Sequence, residues 1–310
     1  MLKIVKAVNN FYPDKILHAP NTSLGFHFIV DGQLVGLITP KFAKQLKKYD
    51  KIFKFKDHLI ILNKALKTIE ERTIQIENVL LELKLNNINE YECLNGWRNE
   101  RFACYGESSE SNAHGGKILL SIERSGCGFF GIRQSGCHLN GYIWDNETLK
   151  MWVGRRSKTK QTYPGFLDNL VGGGLGSGSN PVDTIKKEAG EEAGIYEKHL
   201  LDKIRPGGAI SFYMDHPKRG WMPDTEYIYD LELPKSYIPR PVDGEIKSRL
   251  NEFTLEAAIC VIDFLIRKGI VNSSNEADYT EIVMGSFSMI GLCKEALLDS
   301  MQIARFVSNL

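Results

Sequence analysis

Long apolar runs are missing from this chain. No stretch approaches the roughly 18 to 20 consecutive apolar residues that a membrane helix requires, so no membrane-spanning segment is expected. Met1 to Pro20 carries lysines without a long apolar core leading to a small-residue cleavage site, so no secretory leader is predicted. Cysteine is sparse. Cys93, Cys104, Cys127, Cys137, Cys260 and Cys293 form no Cys-x-x-Cys pair and no compact disulfide framework. They read as reduced thiols of a cytoplasmic protein. Net charge is almost absent: 39 Lys and Arg against 38 Asp and Glu leave +1, which argues against a nucleic-acid partner. A local pocket for a small anion stays open, because net charge says nothing about where charges sit. What is present is an ordinary globular composition, 43% hydrophobic and 25% charged, over 310 residues, a length that suggests about two domains.

The first third alternates short apolar runs with turn residues. Gly25 to Ile38 reads as a hairpin closed by Asp31-Gly32. Lys41 to Lys48 reads as a basic amphipathic helix whose lysines solvate a surface. Ile69, Ile76, Val79, Leu80 and Leu83 recur at helical spacing, which predicts a helix over 68–85. Strand-like pieces flank Trp97-Arg98-Asn99-Glu100, and Lys117 to Arg124 reads as a short helix. Glycines at 126, 128, 131 and 136 then mark a boundary. Beyond it, His138 to Trp144 and Thr148 to Val153 are strand-like, and Gly154 to Gly178 reads as a long loop. Pro181 to Ala193 reads as a helix with Pro near its first position. Further strands are expected at 205–214 and 225–233, and helices at 255–267 and 292–307.

The chemistry concentrates in Gly172-Gly173-Gly174-Leu175-Gly176-Ser177-Gly178 and in Lys186 to Ile195. On a helix, Glu188, Glu191 and Glu192 are three and four residues apart and share a face. Like charges at that spacing cost a few tenths of a kcal/mol per pair, and Gly190 costs up to ~1 kcal/mol more than Ala. A divalent cation would neutralise such a cluster. Mg²⁺ favours carboxylates, retained water and phosphate oxygens. The glycine-rich segment allows close backbone approach to such a site.

The block from Gly173 to Ile195 resembles the Nudix box, Gly-x5-Glu-x7-Arg-Glu-U-x-Glu-Glu-x-Gly-U, where U is a bulky apolar residue. Gly173, Glu188, Glu191, Glu192, Gly194 and Ile195 match. Lys187 stands for the Arg, Ala189 is small for U, and Ser179 replaces the first Glu, with Asp183 as its possible substitute in space. Further stretches resemble the thiamine-pyrophosphokinase-associated Nudix subfamily. They are His138 to Tyr142, Arg155 to Lys160, Tyr163 to Asn169, Tyr229 to Pro234, Asp243-Gly244-Glu245 and Asp263 to Arg267.

The resemblance implies an α+β chain. An accessory α+β domain spans 1–124, a Nudix α/β/α sandwich 125–250 and a helical carboxy-terminal segment 251–310. It implies an Mg²⁺- or Mn²⁺-dependent hydrolase that cleaves thiamine diphosphate, or its oxidised analogues, to the monophosphate and phosphate. Glu188, Glu191 and Glu192 would hold the metal, with Glu192 or Glu245 as general base. Arg155, Arg156 and Lys160 would neutralise the diphosphate. Gly173, His138, Asn140, Asp168 and Asn169 would line the substrate site. The partner is a small-molecule diphosphate, and a homodimer is compatible with it.

Two alternatives remain at this stage. Ser179, Lys187 and a shortened segment after Glu245 suit a catalytically weakened ligand-binding protein. Isopentenyl diphosphate isomerases share the Arg-Ser-x-x-Lys and Pro-Gly pattern but use a cysteine, whereas Asp168-Asn169 is followed here by Leu170-Val171-Gly172-Gly173.

Overall fold

The computed structural model describes residues 9–18, 22–86, 90–106, 116–146, 148–159, 163–240 and 255–269. The helix expected at 292–307, Lys160 and Glu245 lie outside them. Among the described residues no helix is long and apolar enough to cross a membrane.

After helix α1 (Asp14–His18), the expected hairpin forms from β1 (Phe26–Val30) and β2 (Gln33–Ile38). With β3 (Phe53–Lys56) and β4 (Leu59–Leu62) it makes a four-stranded sheet, ordered β2-β1-β4-β3, in which β1 and β4 run parallel. Helix α2 (Pro40–Leu46) is capped by Thr39, whose hydroxyl accepts from Phe42 N–H. Its lysines, Lys41 and Lys44, are exposed, and Lys41 pairs with Glu90 at 3.3 Å; Lys48, just beyond the helix, bonds Gln45. Helix α3 (Ile69–Asn86) buries Ile76, Val79, Leu80 and Leu83 of the predicted stripe, whereas Ile69, in its first turn, is exposed. Phe28, Phe42, Phe53, Phe129 and Phe130 fill the core of this half.

Two expectations change here. Residues 118–123 are a strand, β6 (Ile118–Glu123), paired antiparallel with β5 (Arg101–Tyr105). A short apolar run such as Ile118-Leu119-Leu120 has no period that separates strand from buried helix. Here β5 supplies the ladder, and α3 fixes the register: Thr73 Oγ1 accepts from Ser121 N–H and Arg72 donates to Leu119 C=O. The piece before Trp97 is a 3-10 turn, Glu92–Gly96, instead of a strand.

A second 3-10 turn (Arg124–Gly126) and the short helix α4 (Cys127–Phe130) lead into the second half. Its sheet is built on β7 (Gln134–Asp145), which pairs with β8 (Thr148–Trp152), β11 (Val171–Gly174) and, in parallel, β13 (Gly220–Glu232). β13 forms a long hairpin with β12 (Arg205–His216). The expected loop at 154–178 contains β11 and a small ladder of β9 (Gly154–Arg155) and β10 (Leu167–Asp168). Three consecutive glycines disguise β11 as a loop, because glycine disfavours strands in isolation. Between β11 and β12 lie α5 (Pro181–Ala193) and α6 (Lys198–Leu201).

Helix α5 has the predicted limits. Ile185, Ala189 and Ala193 pack on Cys137, Leu139, Val171, Tyr229 and Leu231 of the sheet. A Cβ at Gly190 would sit 2.6 Å from the ring of the exposed Tyr196, so a side chain there would push that ring aside. Helix α7 (Leu255–Arg267) covers the opposite face, with Cys260 beside Ile210, Phe212 and Ile228. The second half is therefore a helix–sheet–helix sandwich, and the chain is α+β. Asn180 caps α5 by accepting from Asp183 N–H at 2.9 Å. Asn180→Ala should cost about 1 kcal/mol, read as a lower urea midpoint at unchanged slope.

Candidate active site

A cleft of about 950 Å³ opens between the two halves. One wall is the sheet and α5: Gly136 and His138 of β7, Gly172 to Gly174 of β11, Lys187, Glu188 and Glu192 of α5, and Glu226 of β13. The other is the segment from Glu92 to Phe102 with Arg124.

The glycine strand brings the acidic helix to the cleft. A Cβ on Gly173 would lie 2.7 Å from Glu188 Cγ, so a larger residue there would push the Glu188 side chain off the strand. Gly172 N–H donates to Glu192 Oε2 at 3.0 Å, which fixes the second carboxylate. Burial, with the charges of Glu191 and Glu100 adding to it, raises the Glu188 pKa against the pull of Lys187. Glu191 points away. Its side chain is 54% exposed and holds Lys187 Nζ at 2.8 Å. Asp183 does not stand in for Ser179: it is exposed and bonded to Asn180 in the first turn of α5, outside the cleft lining.

His138 and Asp168 line the cleft, with His138 Nδ1 3.9 Å from Asp168 Oδ1 and Nε2 3.4 Å from Glu226 Oε2. Asp168 also receives Arg156 Nη1 at 2.7 Å and its neighbour's N–H at 2.9 Å. Arg155 is not part of the cleft lining and donates to Gly165 C=O at 2.5 Å. Cys137, next to His138, points into the core beneath α5, so the two do not form a dyad.

Asn140 and Asn169 are placed differently from the cleft lining. They are 0% and 3% exposed and belong to a buried polar chain. Asn169 donates to Asn140 Oδ1 at 2.6 Å, Asn140 to Asp230 Oδ1 at 3.1 Å, and Asp230 receives both terminal nitrogens of Arg267. Arg267 also donates to Asp263 at 2.7 Å. The chain fastens α7 to β13, β7 and Asn169, the residue that follows β10 and Asp168.

Sequence reasoning missed Glu226, Arg98, Arg124 and Arg219, all in the cleft wall. Glu226 is 6% exposed, and its buried Oε2 accepts no hydrogen bond from the described residues. The available signal was a carboxylate at the strand period of two from Ile228, on the same face of an expected strand.

The donor set suits a divalent cation shared with a substrate. Among the described residues no three His, Cys, Asp or Glu side chains form a preassembled metal cage. Mg²⁺ needs none: it commonly takes one or two carboxylates, several waters and substrate phosphates. Glu188 and Glu192 supply hard oxygens at the cleft, and Glu226 Oε2, which faces His138 Nε2 at 3.4 Å without a hydrogen bond, is a third acceptor in the same wall.

Residues 1–134 match the family model described as a domain of unknown function, DUF4743. Over 267 residues the chain is 33% identical to Nudix hydrolase 20, chloroplastic, of Arabidopsis thaliana, covering 79% of this chain and 68% of that protein. Nudix hydrolase 24, chloroplastic, of the same plant is 34% identical over 260 residues, with the same shares covered. A crystal structure of a MutT/nudix family protein from Enterococcus faecalis aligns at TM-score 0.33 and 13% identity, over 57% of this chain and 81% of that one. With identity above 30% over two thirds or more of both partners, and a glycine strand that seats the carboxylates of the acidic helix, the chain belongs to the Nudix hydrolase family.

Proposed function

We propose that this Nudix hydrolase cleaves the diphosphate of a small-molecule monoester to the monophosphate and phosphate. The observation that carries the reading is one cleft with Glu188 and Glu192 on one wall and arginines on the other. Such a cleft neutralises a metal-bound diphosphate from both sides. A divalent cation, Mg²⁺ or Mn²⁺, would be held by Glu188 and Glu192 and would supply Lewis-acid polarisation of the phosphoryl oxygens. Arg156, oriented by Asp168, binds phosphate oxygens. Glu226 accepts the proton of the attacking water, since its Oε2 accepts no hydrogen bond from the described residues whereas Glu192 is bonded to Gly172.

The substrate class we infer is thiamine diphosphate and its oxidised analogues, supported by the resemblance of the stretches around His138, Arg155 and Tyr163. Tyr163 gives the cleft an aromatic face suited to a heterocycle. The test is a panel of thiamine diphosphate, oxothiamine diphosphate, ADP-ribose and a nucleoside diphosphate, each with Mg²⁺ or Mn²⁺. The thiamine compounds should show the highest kcat/KM, and a chelator should abolish turnover. Preference for ADP-ribose or the nucleoside diphosphate would overturn the substrate class and leave the reaction. Binding of all four without product would favour a ligand-binding role, for which Ser179 and the outward-facing Glu191 are the motivating departures.

A further inference from the structure

Four arginines far apart in sequence meet in the cleft. Arg98 follows the turn at Glu92–Gly96, Arg124 follows β6, Arg156 follows β9, and Arg219 sits in the turn between β12 and β13. All four are half-buried. Burial and the charges of Arg124, Arg219 and Arg156 together lower the Arg98 pKa to about 10, against the opposing pull of Glu100. Gathering like charges in a partly desolvated cleft opposes folding, and an anionic ligand would offset that cost.

The arrangement is built, not incidental. The Arg124 guanidinium lies 5.2 Å from the Phe102 ring centre, bonds Glu100 at 2.9 Å, and packs so closely on Gly174 that a Cβ there would be 3.0 Å from its Cζ. It thus stands beside Gly173, the glycine beneath Glu188. Glu92 pairs with Lys218, and the Cys93 thiol donates to Lys218 C=O at 3.5 Å. Gly128 packs against the carbonyl of Arg219, where a Cβ would come to 2.5 Å. The turn bearing Arg219 is therefore fastened to the segments bearing Arg98 and Arg124.

We propose that Arg98, Arg124, Arg156 and Arg219 form a seat for the outer phosphate of a diphosphate monoester, so that the amino-terminal half contributes directly to substrate recognition. A terminal phosphate bears more charge and more free oxygens than the internal phosphates of a diphosphate diester, and arginine binds such oxygens bidentately. The seat therefore selects monoesters over diesters. Its link to catalysis rests on the hydrolase reading above; its binding of an anion does not.

The test uses the full chain and inorganic pyrophosphate, titrated calorimetrically without divalent cation. Arg98→Gln and Arg219→Gln should each weaken binding about tenfold, the size expected for one charged hydrogen bond, while Arg98→Lys should retain part of it. Thermal unfolding of each variant checks the fold, and Arg219, in a turn, is the variant least able to disturb it. In kinetics, Arg219→Gln should raise KM for a diphosphate monoester about tenfold and change KM for a diester less than about twofold. Wild-type-like pyrophosphate binding by both Gln variants, or no binding by the wild type, would overturn the seat. Loss of binding in the variants with no turnover of any diphosphate by the wild type would uphold the seat and remove the hydrolase reading.

Discussion

Glu188→Gln should lower kcat by about 10²-fold or more, because it removes one of two cleft carboxylates assigned to the cation, and such a loss corresponds to roughly 2.7 kcal/mol of transition-state stabilisation. The same variant should not be destabilised in the absence of metal. Burial raises the Glu188 pKa, so its ionised form opposes folding above the ordinary glutamate range and the opposition is relieved on protonation. Glutamine keeps the shape over Gly173 and removes the charge. Its Tm without divalent cation should therefore equal or exceed that of the wild type. Mg²⁺ should raise the wild-type Tm and leave the variant nearly unchanged. A variant with lower Tm and lower kcat together would show that Glu188 acts through the fold.

Arg267→Leu should cost about 3 to 5 kcal/mol of unfolding free energy, the range for removing one partner of a buried ionic group. Asp230 and Asp263 are 6% and 4% exposed, and Arg267 bonds both. Burial already raises the Asp263 pKa with Arg267 in place. Without the guanidinium two carboxylates remain together in the core. Adding Asp230→Asn and Asp263→Asn to the Leu variant should recover part of the loss, since no uncompensated charge is then left. The effect should reach the cleft, because Asp230 continues through Asn140 and Asn169 to Asp168, which holds Arg156. Urea unfolding and KM together test this. A cost below 1 kcal/mol would show that water reaches the pair.

Much of the scaffold was legible because it is local. The limits of α5 follow from Asn180-Pro181 at one end and Gly194 at the other, and the hairpin around Asp31-Gly32 follows from a two-residue turn between apolar runs. The acidic helix was legible because three glutamates at helical spacing are costly without a counter-charge. That Glu191 would face solvent was not, since spacing places it on the helix face but not at the cleft. Strands β6 and β11 were hidden because each depends on a partner distant in sequence: β5 for one, β7 for the other. Asn140 and Asn169 illustrate the same limit. Short polar side chains beside a predicted site read as ligand contacts, yet tertiary structure spends them on a buried chain to Arg267. Arg98, Arg124 and Arg219 carry no motif, and only the closing of the two halves brings them together.

The most direct test of the central claim is product release from a diphosphate monoester with Mg²⁺, followed for wild type and Glu188→Gln under identical conditions. Equimolar monophosphate and phosphate from the wild type, with the variant reduced about 10²-fold or more and chelator abolishing both, is the predicted result. Equal release by the two proteins, or none by the wild type from any diphosphate monoester, would contradict it.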